Sequence, residues 1–358
     1  MAEEWIVCRS CTYLTLYDFG DFNQGFHKLA THGNFRRLPH FFTPPHCGGM
    51  EKRSPRFKRV PSVAPVQLTG RDRDLIRLVH RHRFLRSRQI VALLGGSEQQ
   101  TVRRLQLLFH HGYLERPRAQ LQYVERGGSQ PIAYGLGKKG GGLLRRELGL
   151  AVNSDAWNEK HRAVGRMFLE HALLVSKIMV SLELACRKRG VRLLYEEDLA
   201  LPAARPLFQW WVKAGSTKLC VIPDRVFALE YPDHSGQTER AYFFLEADRG
   251  TMPVMRKGLA QTSFFRKLLA YEATWTNKVH QRQLGIPHFR VLTVTTIAAR
   301  VASLLEACSQ LQRGHGLFLF ADQSVLEKNV FAAVWRNGKT GGLSPLLDLP
   351  VPASSAVS

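Results

Sequence analysis

The chain has 358 residues, which is enough for two ordinary domains that each have a core. No apolar run approaches membrane-spanning length, the acidic start Met1–Glu4 is unlike a secretory signal, and the six cysteines lack a framework spacing, so we expect a cytoplasmic protein without disulfides or membrane spans. Of the net charge of +22, +14 falls in residues 51–150 (21 basic minus 7 acidic), which favours a polyanion binder over an ordinary solubilising surface.

The first part of the chain shows little sign of regular structure. Residues 1–49 have no sustained hydrophobic period, and we expect the working domain to start near Met50. Residues 51–67 combine five basic residues with three prolines, which is the composition of an extended arm. We therefore interpret residues 1–65 as a poorly structured extension and basic linker.

Residues 66–150 have the pattern of a winged helix-turn-helix. Thr69 followed by Asp72 is typical of a helix N-cap, and Ser97 followed by Gln100 is another such pattern. Three helices, two strand-like runs and a closing helix follow one another in the order of that fold. The predicted elements are a helix from Thr69, helices Ser87–Leu94 and Ser97–His111, strands Tyr113–Glu115 and Ile132–Leu136, and helix Lys138–Leu148.

In this fold the third helix enters the major groove, where arginine can pair with guanine and glutamine with adenine. The apolar stripe of that helix is predicted as Val102, Leu105, Leu108 and Phe109. The predicted DNA-binding residues of this helix, the loop between the strands and the closing helix are Gln99, Gln100, Arg103, Arg104, Arg116, Arg118, Arg126, Lys138 and Lys139. The alternative is that the arginines solvate an exposed face and that Gln100 is occupied in capping.

From Ser154 the pattern becomes that of a mixed α/β domain, which we assign to residues 151–335, followed by a disordered tail at 336–358. A long amphipathic helix comes first, and His161 and His171 lie on its apolar seam, which favours core histidines over ligands. The seam is predicted as Trp157, His161, Val164, Phe168, His171, Val175, Ile178 and Leu182. The later elements are predicted as strands Arg192–Leu201, Lys218–Glu230, Arg240–Ala247, Phe289–Thr295 and Leu317–Phe320, with helices Gly258–Thr276 and Ala298–Gln312.

Three carboxylates of this domain are candidate metal ligands. Asp224 lies inside one strand-like run, and Glu246 and Asp248 end the next one, on the same face by strand alternation. If the strands pair, the carboxylates converge, which is costly unless a cation lies between them. Lys267 follows on a helix from which it can point back at them. The alternative is a strand-end ion pair beside a Pro-Asp bend.

This order of residues resembles the core of the PD-(D/E)xK nuclease superfamily over residues 155–320. The resemblance implies Asp224 and Glu246 as Mg²⁺ ligands, with the metal orienting water and stabilising the phosphorane charge. The lysine position of the superfamily holds Asp248 here, and Lys267 is the candidate catalytic lysine in its place. The expected fold class is α+β, with an N-terminal winged helix-turn-helix followed by a mixed α/β restriction-endonuclease-like domain.

Over residues 66–320 the whole pattern resembles the replication-relaxation family of plasmids and integrative elements. The stretches that carry the resemblance are Leu68–Asp72, Arg83–Leu85, Gly112–Leu114, Pro223–Asp224 and Glu246–Thr251, with Lys267 and Tyr271. It implies a role in replication, mobilisation or maintenance of mobile DNA, with double-stranded DNA as partner and a second copy or replication and mobilisation proteins as further candidates.

Two hypotheses remain open. In the first, which we favour because Asp248 occupies the lysine position, the chain is a DNA-binding accessory protein with a degenerate nuclease fold. In the second, it is a Mg²⁺-dependent DNA endonuclease or nickase directed by the winged helix.

Overall fold

A computed structural model describes residues 56–60, 65–121, 130–149, 165–199, 208–259 and 261–349, and these residues have a mixed α and β structure within one compact unit. The helices are α1 (Gly70–His82), α2 (Ser87–Leu94), α3 (Glu98–His110), α4 (Lys138–Leu148), α5 (Arg166–Arg189), α6 (Phe264–Thr276), α7 (Val279–Arg282) and α8 (Ala298–Ser309). The strands are β1 (Phe84–Arg86), β2 (Leu114–Glu115), β3 (Ala133–Leu136), β4 (Arg192–Tyr195), β5 (Trp210–Ala214), β6 (Thr217–Val221), β7 (Arg225–Pro232), β8 (Thr238–Asp248), β9 (Arg290–Thr295), β10 (Phe318–Asp322), β11 (Trp335–Asn337) and β12 (Leu343–Ser344). Within these ranges, none of the helices combines the length and apolar composition that a membrane span needs.

The first four helices and a small antiparallel sheet share one core. Both predicted caps form: the Thr69 side chain and Asp72 cap each other's backbone at α1, and Ser97 accepts from the backbone N–H of Gln100 at α3. The strand order is β1-β3-β2, with Leu85 opposite Tyr134 in the antiparallel register. The elements therefore follow one another as helix, strand, two helices, two strands and helix.

The buried stripe of α3 is shifted by one residue at its start from the predicted one. Val102 is 40% exposed, whereas Thr101 is 1% exposed and takes the predicted core position of Val102. A threonine is tolerated there because its hydroxyl donates to the Ser97 carbonyl at 3.0 Å, so no polar group is buried without a partner. The prediction for Val102 is therefore wrong, while Leu105, Leu108 and Phe109 are buried as predicted.

The later strands form a seven-stranded sheet in the order β12-β11-β10-β9-β8-β7-β4. The central strands β8, β9 and β10 run parallel, and the remaining pairs are antiparallel. On one face α5 packs through Ile178 and Leu182 in a cluster with Phe243, and on the other face α6 and α8 pack in a cluster with Phe244. Residues that alternate along β8 therefore point into two different cores.

The predicted strand Lys218–Glu230 is two strands. Residues 222–224 separate β6 from β7, and β6 pairs with β5 in a separate two-stranded hairpin. The reason for the break is Pro223, which has no backbone N–H to donate to a strand ladder. Asp224 therefore lies at the entrance of β7 rather than inside a strand, and its backbone N–H donates to the Leu245 carbonyl at 2.9 Å.

The long helix and the C-terminal segment also differ from expectation. In α5, Val175, Ile178 and Leu182 are buried as predicted, but Phe168 is 38% exposed. Trp157, His161 and Val164 lie outside the described residues.

The C-terminal segment was predicted to be a disordered tail over residues 336–358, and this prediction is wrong for residues 336–349. There β11 and β12 extend the sheet, and Leu346 and Leu347 are buried against its core. That apolar burial explains why this stretch is structured although it contains three glycines and a proline.

Helix α5 belongs to the cores on both sides of it. Val180 packs in the core of the first four helices, and Ile178 packs in the core of the seven-stranded sheet. The hydroxyl of Ser176 donates to the His82 carbonyl at 2.9 Å, and Arg187 donates to the Leu93 carbonyl at 2.6 Å. The helical N-terminal part is thus fixed to the sheet through a shared helix.

Candidate functional site

Asp224, Glu246 and Lys267 meet where β7 begins and β8 ends. One oxygen of Asp224, Oδ2, accepts from the Ala247 backbone N–H at 2.7 Å, which fixes the side chain beside Glu246. Lys267 projects from α6 and its Nζ donates to Glu246 Oε2 at 2.5 Å. The structure thus brings together three of the four residues that the sequence suggested for a metal-dependent nuclease site.

Glu246 is the buried centre of this cluster, with 2% of its surface exposed. Its second oxygen, Oε1, accepts from the Tyr271 hydroxyl at 2.6 Å. Burial raises the pKa of Glu246 and the neighbouring Asp224 adds to the shift, while Lys267 and Tyr271 oppose it. Burial would lower the pKa of Lys267, but the two carboxylates raise it, so the lysine carries the positive charge that this cluster needs.

His171 of α5 also belongs to this cluster, although the sequence analysis favoured a core position for it. Its Nε2 lies 2.9 Å from Asp224 Oδ1, and 35% of the side chain is exposed. Burial alone would raise the pKa of Asp224, but the hydrogen bond with His171 and the nearby ammonium of Lys267 lower it. Asp224 is therefore ionised and accepts from His171. The two residues are 53 positions apart in the sequence, so no local sequence pattern predicts that they pair.

Asp248, the third predicted metal ligand, is engaged elsewhere. It lies on the same face of β8 as Glu246, but the Arg300 guanidinium of α8 binds it through Nε and through Nη2, the latter at 3.2 Å. Asp248 is buried and Arg300 is partly buried, with 6% and 12% of their side chains exposed. This corresponds to the strand-end ion pair that was the alternative interpretation. Glu170 is similarly paired with Arg249 at 2.8 Å.

A divalent cation has two carboxylates available here rather than three. Among the described residues no group of three or more His, Cys, Asp or Glu is placed to hold a metal ion. Mg²⁺ is commonly held by one or two carboxylates and several waters, so Asp224 and Glu246 fit that mode. Each of their four oxygens already accepts a protein hydrogen bond, from His171, Ala247, Lys267 and Tyr271. A metal would therefore take over the position of the Lys267 ammonium at Glu246.

Helix α3, the predicted DNA-reading helix, exposes only some of the residues that were predicted to contact DNA. Gln99, Gln100 and Arg103 are exposed on α3. Arg104 is engaged within the protein, although 32% of its side chain is exposed. Its guanidinium forms a two-point ion pair with Asp72 and donates to the Gln67 carbonyl at 3.2 Å, so Arg104 ties α3 to the cap of α1.

The remaining predicted DNA contacts divide in the same way. Arg116 is only 6% exposed. Its guanidinium lies 4.1 Å from the Phe109 ring centroid and donates to the Tyr134 hydroxyl at 3.1 Å. The prediction that Arg116 contacts a phosphate outside the fold is therefore wrong. The position of Arg116 directly after β2, before the polar loop begins, explains the burial. The predicted contacts that are exposed are Arg118, Lys138 and Lys139. Arg126 falls outside the part of the chain that the structure describes.

Two residues on the exposed face of α3 were missed by the sequence reasoning. Val102 and Gln106 are exposed, and with Gln99 and Arg103 they lie at spacings of three, four and seven residues, which is one helix face. Gln106 could have been found by continuing the period of Gln99 and Arg103. Val102 was assigned to the core because it is apolar.

The family model described as Replication-relaxation matches residues 76–288, which is more than half of the chain. The matched range extends from α1 to the segment after α7, and it includes α3, Asp224, Glu246 and Lys267. Neither a curated protein sequence nor a solved structure matches the chain.

Proposed function

Because this chain belongs to the replication-relaxation family, we propose that it is a duplex-DNA-binding protein that acts in replication, mobilisation or maintenance of plasmid or integrative-element DNA. In this proposal residues 66–150 are a winged helix-turn-helix, α3 is the recognition helix, and β2 and β3 are the strands of the wing. The order of helices and strands and the antiparallel pairing of β1, β3 and β2 support that fold.

The observation that carries the proposal is the exposed face of α3. It offers Gln99, Arg103 and Gln106, whose side chains can read base edges, and Val102, which can contact a thymine methyl. Lys138 and Lys139 are exposed at the N-terminus of α4, where the helix dipole and two ammonium groups favour a phosphate. Basic residues also outnumber acidic ones in this part of the chain, since residues 51–150 carry 21 bases and 7 acids.

Gel shifts of the full chain on its own origin or mobilisation region and on random duplex test this function. Arg103→Ala should weaken specific binding by about 1–3 kcal/mol, because a base-edge contact is lost, and Lys138→Ala should weaken all sequences alike. Binding should fall steeply with salt through counterion release. Arg282→Ala, which removes an exposed arginine from α7, is the matched control. Salt-insensitive binding, or equal losses for Arg103→Ala and Arg282→Ala, would refute the assignment.

A second candidate function, a Mg²⁺-dependent DNA endonuclease or nickase, is favoured by one specific observation. Lys267 reaches Glu246 from α6, so the positive charge missing at Asp248 is present from another element. In this candidate Asp224 and Glu246 hold Mg²⁺, and Lys267 places a cation beside the scissile phosphate. When bound, Mg²⁺ would activate water and stabilise the phosphorane charge. His171 keeps Asp224 oriented and ionised for that role.

Thermal unfolding and plasmid nicking on the same proteins separate the two candidates. Mg²⁺ or Mn²⁺ should stabilise the wild type by mass action, and Asp224→Asn should abolish that shift. If the site is catalytic, Lys267→Met should remove nicking while retaining the metal shift. If the wild type shows no nicking with either metal, only the DNA-binding function remains. If nicking survives both substitutions, the reaction takes place at another site.

A further inference from the structure

The β5–β6 hairpin has an exposed face that neither candidate function uses. Its inner face packs Trp210, Val212 and Leu219 into the core with α6. Its outer face carries Trp211, which is 51% exposed, together with two exposed lysines, Lys213 and Lys218. The hairpin is therefore anchored on one side and presents a large aromatic ring and two ammonium groups on the other.

The two lysines are close enough to repel each other when no anion is bound to this face. Lys213 and Lys218 are direct cross-strand partners, and like charges directly opposite each other destabilise a strand pair. Among the described residues neither lysine has an ion-pair partner, and the sequence from Leu199 to Pro223 contains no Asp or Glu. An anion bound between these lysines would relieve the repulsion.

The aromatic ring lies next to those charges. The Lys218 ammonium is 4.8 Å from the Trp211 ring centroid, so the cation and the indole form one continuous patch. An indole that is half exposed leaves part of its apolar ring in water, and a flat ligand that covers this part gains hydrophobic and stacking contacts. A ligand that suits this patch has a flat aromatic face and a negative charge within a few ångströms of it.

We propose that the outer face of the β5–β6 hairpin, formed by Trp211, Lys213 and Lys218, binds single-stranded DNA. Lys218 lies over the indole, so an unpaired base stacks on the part of the ring that remains exposed, while the lysines contact the adjacent phosphates. Sequence-tolerant single-strand surfaces combine stacking and phosphate contacts in this way. Duplex DNA suits the patch less well, because the faces of its bases are already covered by stacking on their neighbours. The two ammonium groups have no ion-pair partner within the described ranges, and their charge complementarity with a polyanion selects a nucleic acid over an apolar partner.

The position of the hairpin gives such binding a use. Strand β6 ends at Val221, and the chain passes through Ile222, which is 49% exposed, and Pro223 directly to Asp224. Trp211 lies opposite Cys220, four residues before Asp224, and Lys218 lies six residues before it. At about 3.3 Å per residue, the patch is therefore within about 13–20 Å of the carboxylate cluster along the chain. The inference deepens the DNA-binding proposal but rests on a surface separate from α3, so each surface can fail without the other.

Fluorescence anisotropy of the full chain with labelled oligo-dT and with a labelled duplex tests the inference. Trp211→Ala should weaken oligo-dT binding by about 5- to 150-fold, the range expected for losing one base–aromatic stack, and should leave duplex binding within about twofold. Trp211→Phe should lose less. Trp275→Ala removes another exposed tryptophan, at the end of α6, and is the matched control.

Replacing both lysines by glutamine should weaken oligo-dT binding and reduce its salt dependence, and it keeps the test open if Trp211→Ala fails to fold. Wild-type oligo-dT affinity in Trp211→Ala, or the same loss in Trp275→Ala, would overturn the proposal. So would equal losses on oligo-dT and duplex. Loss of duplex binding in Arg103→Ala with oligo-dT binding intact would show that the two surfaces act separately.

Discussion

Replacing Lys267 by methionine removes the ammonium group from Glu246 while keeping an unbranched side chain along the same path. Glu246 is 2% exposed, so its charge would be left in the core without its cation. Glu246 can instead take up a proton, which limits the loss of folding free energy. At pH 7 protonating a glutamate with an ordinary pKa of about 4.3 costs about 3.7 kcal/mol, because each pH unit above the pKa adds 1.36 kcal/mol. Because 35% of the Lys267 side chain is exposed and water can enter, we expect about 2–3 kcal/mol.

The pH dependence of this penalty identifies its cause. The folded-state pKa of Glu246 is already raised by burial and rises further without Lys267, so folding takes up a proton and stability falls as pH rises. The penalty should therefore grow from below about 1 kcal/mol at pH 5 to its full value at pH 7.

Urea unfolding of the wild type, Lys267→Met and the double variant Lys267→Met/Glu246→Gln measures it. The added Glu246→Gln change should remove most of the pH dependence. The control is Lys188→Met, which removes an exposed lysine of α5. A penalty that is equal at pH 5 and pH 7 would refute the electrostatic explanation and leave lost packing as the cause.

Other substitutions probe the remaining contacts. Arg300→Met should cost about 3–5 kcal/mol in thermal unfolding because it leaves the buried Asp248 carboxylate unpaired, and adding Asp248→Asn should recover part of that loss; a purely additive double variant would contradict the pairing. Thr69→Ala should cost about 1 kcal/mol through loss of the α1 cap, and a loss near zero would mean that the cap contributes nothing. Arg116→Met should leave duplex affinity unchanged in gel shifts because its guanidinium is buried, whereas Arg118→Met should lower it; the reverse result would place Arg116 at the DNA.

Local signals predicted most of the elements, because caps and breakers act over a few residues. Thr69 and Ser97 start α1 and α3 as their side chains require, and the helix Lys138–Leu148 has the predicted bounds. The failures come from burial that no short pattern encodes. Thr101 is buried because its hydroxyl has a partner one helical turn earlier, and Val102 is exposed although it is apolar.

The site was predictable only in part, for a related reason. Asp224, Glu246 and Lys267 stand in recognisable positions, but whether they meet depends on the register of β7 with β8 and the placement of α6. The partners of His171 and Asp248 lie 53 and 52 positions away in sequence. Such pairs are decided by the tertiary fold, so charge and periodicity alone could not assign His171 to the cluster or remove Asp248 from it.

The sharing of α5 between two cores has a geometric consequence for any DNA bound by α3. A reading helix on a flexible tether would let the carboxylate cluster sample many positions along a duplex. Here Val180 and Ile178, two residues apart on one helix, pack into the core beneath α3 and into the core beside β8. If α3 lies in a major groove as proposed, the shared helix therefore holds the carboxylate cluster at one fixed distance and orientation relative to the sequence that α3 reads.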